Sequence, residues 1–417
     1  LTLAGSLALH RGQYDQAAEL LARGLRARPP QPASPDGRPE LLALASSTAA
    51  QTRGFVETSR GEGRYRVRHA PGIDAVLVPY ALATLEAAAR ALTEELGVRV
   101  PGPIRLELYG SARELAAVSF LSTEAIERTG TIALCKWDRL MVTSPRALLR
   151  GYPWRDTIAH ELVHLVLSRA TRDRAPVWMQ EGLARFLERR WREPSPQLAL
   201  RPSVAALLAG RRRAGTLLRF DQLHPSIALL PSQEDAALAF AQVSTFMEAF
   251  HATHGAAGVR DVIARVAQGA DAKEAFASAS GRSFTALERS WRRALEARET
   301  PVRAPDLAPL RFRRGEADGA EVDRAELTAA TALPETVRRA LRRGDLLWAR
   351  RRPGAAAVKY GEAHAQVPED ALVASRYARA ALASGRPGEA RPAHAPQAQP
   401  RPAQSPTIAH HAPAHQL

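Results

Sequence analysis

His160-Glu161-Leu162-Val163-His164, followed by Trp178-Met179-Gln180-Glu181-Gly182-Leu183-Ala184, is the stretch from which the rest of this chain can be read. In an α-helix, residues four apart are separated by about 40° of rotation, so His160 and His164 project from one face. Two imidazoles so placed can grip one metal ion, and Glu161 on the flank reaches a water beside it. A third protein ligand fills three corners of a tetrahedron and leaves the fourth for water or substrate. Glu181 is the candidate, which gives a His2Glu set suited to one zinc ion per chain. Ile158, Leu162, Leu165 and Val166 form an apolar stripe, so the two histidines sit at the edge of the buried face. Imidazoles buried beside a carboxylate need partners, and a metal ion supplies one.

With this motif pair the chain resembles the peptidase MA-like domains of the gluzincin class of zinc metallopeptidases, from about Phe55 to about Leu295. The resemblance implies an α+β, zincin-like domain: a small mixed sheet, the HExxH helix and a helical C-terminal half. It implies His160, His164 and Glu181 as zinc ligands and Glu161 as general base for peptide hydrolysis without a covalent intermediate. It also implies an edge strand that binds substrate backbone, here Gly130, Thr131, Ile132 and Ala133, for which an ordinary internal strand is the other reading. Three positions depart from the pattern. The interval to Glu181 is shorter than in thermolysin-like members. Arg185 stands where those enzymes carry an acidic residue behind a ligand, and Phe240 stands where related domains often show Tyr.

The upstream residues read independently as a domain of this kind. Arg64 to Arg68 alternates as a half-buried strand, and Pro79 to Leu96 reads as an Ala/Leu-rich helix with Pro in its first turn. Ile104 to Tyr109 alternates as a strand, and Thr131 to Leu134 and Leu140 to Thr143 suit two adjacent ones. Pro153 opens the motif helix. Beyond Glu181, Val204 to Leu208, Ala236 to His251, Gly258 to Ala267 and Phe284 to Leu295 read as helices.

Asp156 lies one turn before His160 and has two readings. It can accept that ring's second N–H and fix its tautomer, or it can meet the helix dipole near the N-terminus. His224, His251 and His254 are further polar candidates whose ordinary role is surface or capping. Cys135, the sole cysteine, ends an apolar run and reads as a buried thiol.

The ends of the chain carry a second pattern. Gly5, Ala8, Gly12, Tyr14, Ala17, Leu21 and Pro29 fall at tetratricopeptide-repeat spacings, as do Gly344, Leu347, Ala356, Tyr360, Ala363 and Pro368. A repeat-like hairpin inside another fold is the alternative. The expected layout is a partial repeat at 1–30, a linker at 31–53, the peptidase-like domain at 54–300 and a linker at 301–333. Repeats at 334–391 and a disordered Pro/Ala/Gln/His tail at 392–417 complete it. The first copy begins in mid-helix without an initiator Met, so more repeats are expected before residue 1. Stacked repeats suit a protein or peptide partner, and the Pro-rich connectors suit movement between modules.

Composition bounds the remaining function classes. The net charge of +15 comes from 58 basic and 43 acidic residues, and only Lys136, Lys273 and Lys359 are lysine. That Arg, Ala and Pro skew fits the coding bias of a high-GC bacterium. The arginines are not interleaved with aromatics in a reading motif, which argues against nucleic acid. No run approaches the ~20 apolar residues of a membrane span. The compartment is not fixed by these residues, with the bacterial cell envelope favoured over the cytoplasm. Arg185, Arg189, Arg190 and Arg192 read either as an attractant for acidic substrate or as a solvated helix face. Two functions remain: a zinc peptidase whose repeats recruit a protein, and a non-catalytic repeat protein with a structural metal site. Glu161 beside an open His2Glu set favours the first.

Overall fold

Three helices open the chain, α1 (Thr2–His10), α2 (Tyr14–Ala27) and α3 (Arg38–Thr52), ahead of strands β1 (Val56–Arg60) and β2 (Tyr65–His69). The computed structural model describes residues 1–27, 37–100, 102–149, 151–196, 198, 200–223, 227, 230–298, 310–313, 333–368, 370–386 and 388. It divides into two units, Leu1–Gly315 and Glu316–Leu417.

In the first unit, α4 (Val78–Leu96) carries the chain from β2 to β3 (Ile104–Tyr109), and these two strands pair in parallel. Two short helices follow, α5 (Ala112–Ala117) and α6 (Thr123–Thr129), each started by a serine that caps the next turn. Strands β4 (Ala133–Lys136) and β5 (Arg139–Thr143) form a hairpin, and β5 pairs in parallel with β3. The sheet order is therefore β1-β2-β3-β5-β4, with β1 and β4 at its edges. The edge strand on the cleft side is Ala133–Lys136, not Gly130 to Ala133. The shift has a local cause: Gly130 takes a left-handed φ of 70° to end α6, so pairing begins only after it.

One face of the sheet packs against α4 and against α7 (Trp154–Thr171), the helix that carries the histidine pair. Its stripe of Ile158, Leu162, Leu165 and Val166 is buried as its spacing predicts. Behind α7 lie α8 (Val177–Leu187), α9 (Pro202–Arg213), α10 (Gln233–Ala267), α11 (Ala272–Ser280) and α12 (Phe284–Ala297). Gly255, at φ 63° and ψ −171°, breaks α10 where the sequence pattern also pauses. Ile73–Leu96 is long and apolar enough by length and composition to cross a membrane. In this fold it is a core helix: Ala81, Leu82, Leu85, Ala88 and Leu92 are buried against the sheet.

The N-terminal helices are not a separate module. Tyr14 of α2 donates to Glu107 Oε1 on β3 at 2.6 Å, inside the fold. Glu107 also accepts from Tyr109 at 2.6 Å, Arg139 at 2.7 Å and Arg68 at 3.0 Å. Ser47 of α3 bonds the carbonyl of Ala117, and Arg105 bonds the carbonyl of His10. The expected linker at 31–53 is therefore helix from Arg38 onward. Leu44, Ala45, Thr48 and Ala49 of α3 are buried, and all but Thr48 join a cluster that includes Leu9, Tyr14 and Leu21. Small residues hid this face from a hydrophobic-pattern reading. The expected linker at 301–333 also needs correction, since Phe312 bridges Leu148 and Leu310 meets Gln233 within the first unit.

The second unit holds α13 (Glu335–Ala349), α14 (Pro353–Gln366) and α15 (Ala371–Ala383). Its buried centre is Val337, Leu341, Ala356, Tyr360 and Ala363. A Cβ on Gly344 would fall 2.4 Å from the Tyr360 ring, so glycine is required for that close approach. The expected tail at 392–417 lies outside the described residues.

Candidate metal centre

The second motif works through its packing. Trp178 stacks on Phe220 at 5.2 Å and meets the rings of Phe246, Phe276 and Phe284 within 6.0 Å. That aromatic cluster anchors the first turn of α8. At Gly182 the helix runs so close to α10 that a Cβ would lie 2.9 Å from Met247 Cγ and from the Val243 carbonyl. The pair of contacts presents Glu181 toward α7.

Three atoms then converge. His160 Nε2 lies 3.2 Å from His164 Nε2 and 3.2 Å from Glu181 Oε2, and His164 Nε2 lies 3.4 Å from that same oxygen. A tetrahedral zinc site with bonds of about 2.0–2.1 Å has corners about 3.3 Å apart. The triangle therefore has the dimensions of three corners of such a site. The other ring nitrogens have acceptors. His160 Nδ1 is 3.3 Å from Glu188 Oε2, and His164 Nδ1 is 3.3 Å from Gln180 Oε1. Gln180 Nε2 donates to the Ala175 carbonyl at 2.8 Å, which turns its oxygen toward the ring. With both Nδ1 atoms donating, each neutral ring aims an Nε2 lone pair at the carboxylate oxygen. In that tautomer three lone pairs face one point, a donor set that a cation fits.

The protonation energetics respond to the same convergence. Burial disfavours the charged His160 ring, but hydrogen bonds to Glu181 and Glu188 outweigh it and push its pKa up to about 10. Burial likewise opposes ionised Glu181, yet the two histidines hold its pKa far below the carboxylate range. Glu161 behaves oppositely: burial, with Glu181 adding to it, raises its pKa against the pull of His164 and His160. The ligand atoms of His160, Glu161 and His164 lie within 4.8 Å of one another.

The centre opens on a cleft of 1010 Å³ between β4, α7, α8 and α10. The side chains of His160, His164 and Glu181 keep 12%, 13% and 19% of their exposure, so the site is reachable rather than sealed. The family model of the peptidase MA superfamily matches residues 84–297. The chain belongs to the peptidase MA superfamily. No curated protein sequence matches it. For a peptidase MA chain the match spans both motifs and every helix from α5 to α12, and the N-terminal three helices lie before it.

Several sequence expectations need revision. Asp156 is not the partner of His160. It holds Arg192 through two bonds of 2.9 and 2.7 Å and accepts from Trp191 at 3.0 Å. Glu188 takes the position behind His160 instead, and Arg185 donates to it at 2.8 Å. The signal was available: Glu181, Arg185 and Glu188 recur at helical spacing along α8 and its C-cap. Gly130, Thr131, Ile132 and Ala133 all line the cleft. Phe240 lines it too, with its ring 6.2 Å from that of His160. His251 packs on Phe186 and His254 on Phe250, and neither lines the cleft, while His224 lies outside the described residues. Cys135 also lines the cleft, and burial raises its pKa well above the usual thiol value.

Proposed function

We propose that this chain is a zinc-dependent peptidase of the gluzincin type, with His160, His164 and Glu181 holding the metal. The observation that carries the reading is the convergence of three lone-pair donors at tetrahedral spacing on an open cleft. A bound zinc ion would supply Lewis-acid polarisation of the scissile carbonyl and acidify the attacking water. Glu161 would accept the proton from that water and return it to the leaving amine, a task suited to a carboxylate whose pKa burial has raised. Glu188 and Gln180 would hold the two rings in the tautomer that leaves Nε2 free. The strand edge after Gly130 would take substrate backbone, and Phe240 could offer no hydroxyl to the developing oxyanion. Helices α13 to α15, read as repeats, would recruit a protein partner. The test is Glu161→Gln, which keeps the shape of the side chain but cannot accept a proton. It should retain metal and fold while losing at least about 100-fold in peptide cleavage. Full activity in that variant would remove Glu161 from the chemistry.

A further inference from the structure

Of the four arginines that follow Glu181, three are neutralised away from the cleft. Arg189 pairs with Glu193 at 2.6 Å, Arg190 with Glu95 at 2.7 Å, and Arg192 with Asp156 at 2.7 Å. Arg185 remains on the cleft wall, one turn beyond Glu181, and shares the single carboxylate of Glu188 with His160. A second guanidinium joins it there. Arg201, the residue before α9, lines the same cleft and is exposed, and its side chain makes no hydrogen bond or ion pair among the described residues. Its pKa is held below the usual guanidinium value by desolvation at the wall and then by the Arg185 cation, with Glu188 opposing. Arg172 also lines the cleft, but it stands at the far end of α7, about 12 Å beyond His164 along the helix.

Two cations against one shared carboxylate leave this wall with an unmatched positive charge. Leu200, Val204 and Phe240 line the same cleft and give it apolar surface. Such surroundings strengthen a charge-assisted bond to a ligand, and the planar fork of a guanidinium matches a carboxylate bidentately. Repulsion between the two arginines is relieved when an anion sits between them. A neutral or basic residue in the same place would leave the charge uncompensated.

We infer that Arg201, lining the same cleft as Arg185, forms a subsite for a substrate carboxylate next to the scissile bond, making this a peptidase for acidic or C-terminal positions. Arg201 is a specificity-determining residue, and the inference rests on the peptidase reading above. The carboxylate can belong to an Asp or Glu side chain or to a free peptide C-terminus, and both present the same group.

The test uses the full chain and neutral hexapeptides of Ala and Phe carrying one Glu, or Gln in its place, at each position in turn. Each is made as the C-terminal acid and as the amide. Binding to the Glu161→Gln chain is measured by calorimetry, and cleavage by the unaltered chain is followed by mass spectrometry. One Glu position, or the free C-terminus, should bind about 10- to 100-fold tighter than its neutral counterpart. Arg201→Gln should abolish that preference, and Arg201→Glu should reverse it toward peptides with Lys in the same place. Arg201 is exposed, so circular dichroism should show both variants folded. A carboxylate preference that survives Arg201→Gln would mean the group is held elsewhere, at the metal for instance, and would overturn the inference. Equal binding of every pair would also overturn it. Discrimination in binding without any cleavage by the unaltered chain would instead sink the peptidase reading and leave the subsite standing.

Discussion

Glu107 offers the sharpest test of how the N-terminal helices join the sheet. Its side chain is buried, at 1% exposure, and accepts from Tyr14, Tyr109, Arg139 and Arg68. Arg139 is itself fully buried, so Glu107→Gln would leave a guanidinium in the interior without a counter-charge. Breaking a buried pair in this way costs about 3–5 kcal/mol, against a net stability of about 5–15 kcal/mol for a typical domain. Urea unfolding followed by tryptophan fluorescence should show the midpoint falling by about 1–2 M. Tyr14→Phe, which deletes one bond to the same carboxylate, should cost about 1.5–3 kcal/mol. The two effects should be non-additive because they share an acceptor. The pH dependence has a definite sign. Burial opposes the ionised Glu107, but Arg139 and the two tyrosines prevail and hold its pKa below the ordinary carboxylate value. A carboxyl with a depressed folded pKa contributes fully above its unfolded pKa, about 4.3, and loses that contribution as pH falls through the folded pKa. The gap between the unaltered chain and Glu107→Gln should therefore be constant near neutrality and narrow in strong acid. A loss below about 1 kcal/mol at pH 7, or a gap that does not narrow, would refute this account of the network.

Three further outcomes follow from the packing. Glu188→Gln should weaken metal affinity about 10- to 100-fold in a competition titration, whereas Asp156→Asn should leave affinity unchanged and cost only about 1 kcal/mol in stability. Gly182→Ala should destabilise by about 1–3 kcal/mol in the same urea assay, because its methyl would meet the Val243 carbonyl and Met247. The isolated 54–300 segment should be poorly soluble or markedly less stable than the full chain, since it loses Tyr14 from Glu107 and bares Trp137 where the N-terminal cluster covers it. Equal stability of that segment by calorimetry would restore the modular view.

Local signals were the legible ones. The HExxH spacing, the apolar stripe on its helix, the β3 pattern and the break near Gly255 all depend on residues close in sequence, and the fold places them accordingly. What escaped depended on distant partners. Tyr14 and Glu107 are 93 residues apart, and Glu107 alternates in β3 as though it faced solvent. Helix α3 buries mainly Ala and Thr, which carry little pattern. Strand β1 is exposed along its whole length, so no alternation marks it. Asp156 and Glu188 both stood at plausible spacings for supporting His160. Only the packing of α8 on α7 decides between them, by giving Asp156 to Arg192 and Trp191.

The central claim is that His160, His164 and Glu181 hold one catalytic metal ion. The most direct measurement is the metal content of the natively purified full chain, set beside His160→Ala and His164→Ala prepared in parallel. The account predicts one zinc per folded chain, released by a chelator and absent from both variants, because each deletes a ligand outright. No stoichiometric metal in the unaltered chain, or undiminished zinc in His160→Ala, would contradict it.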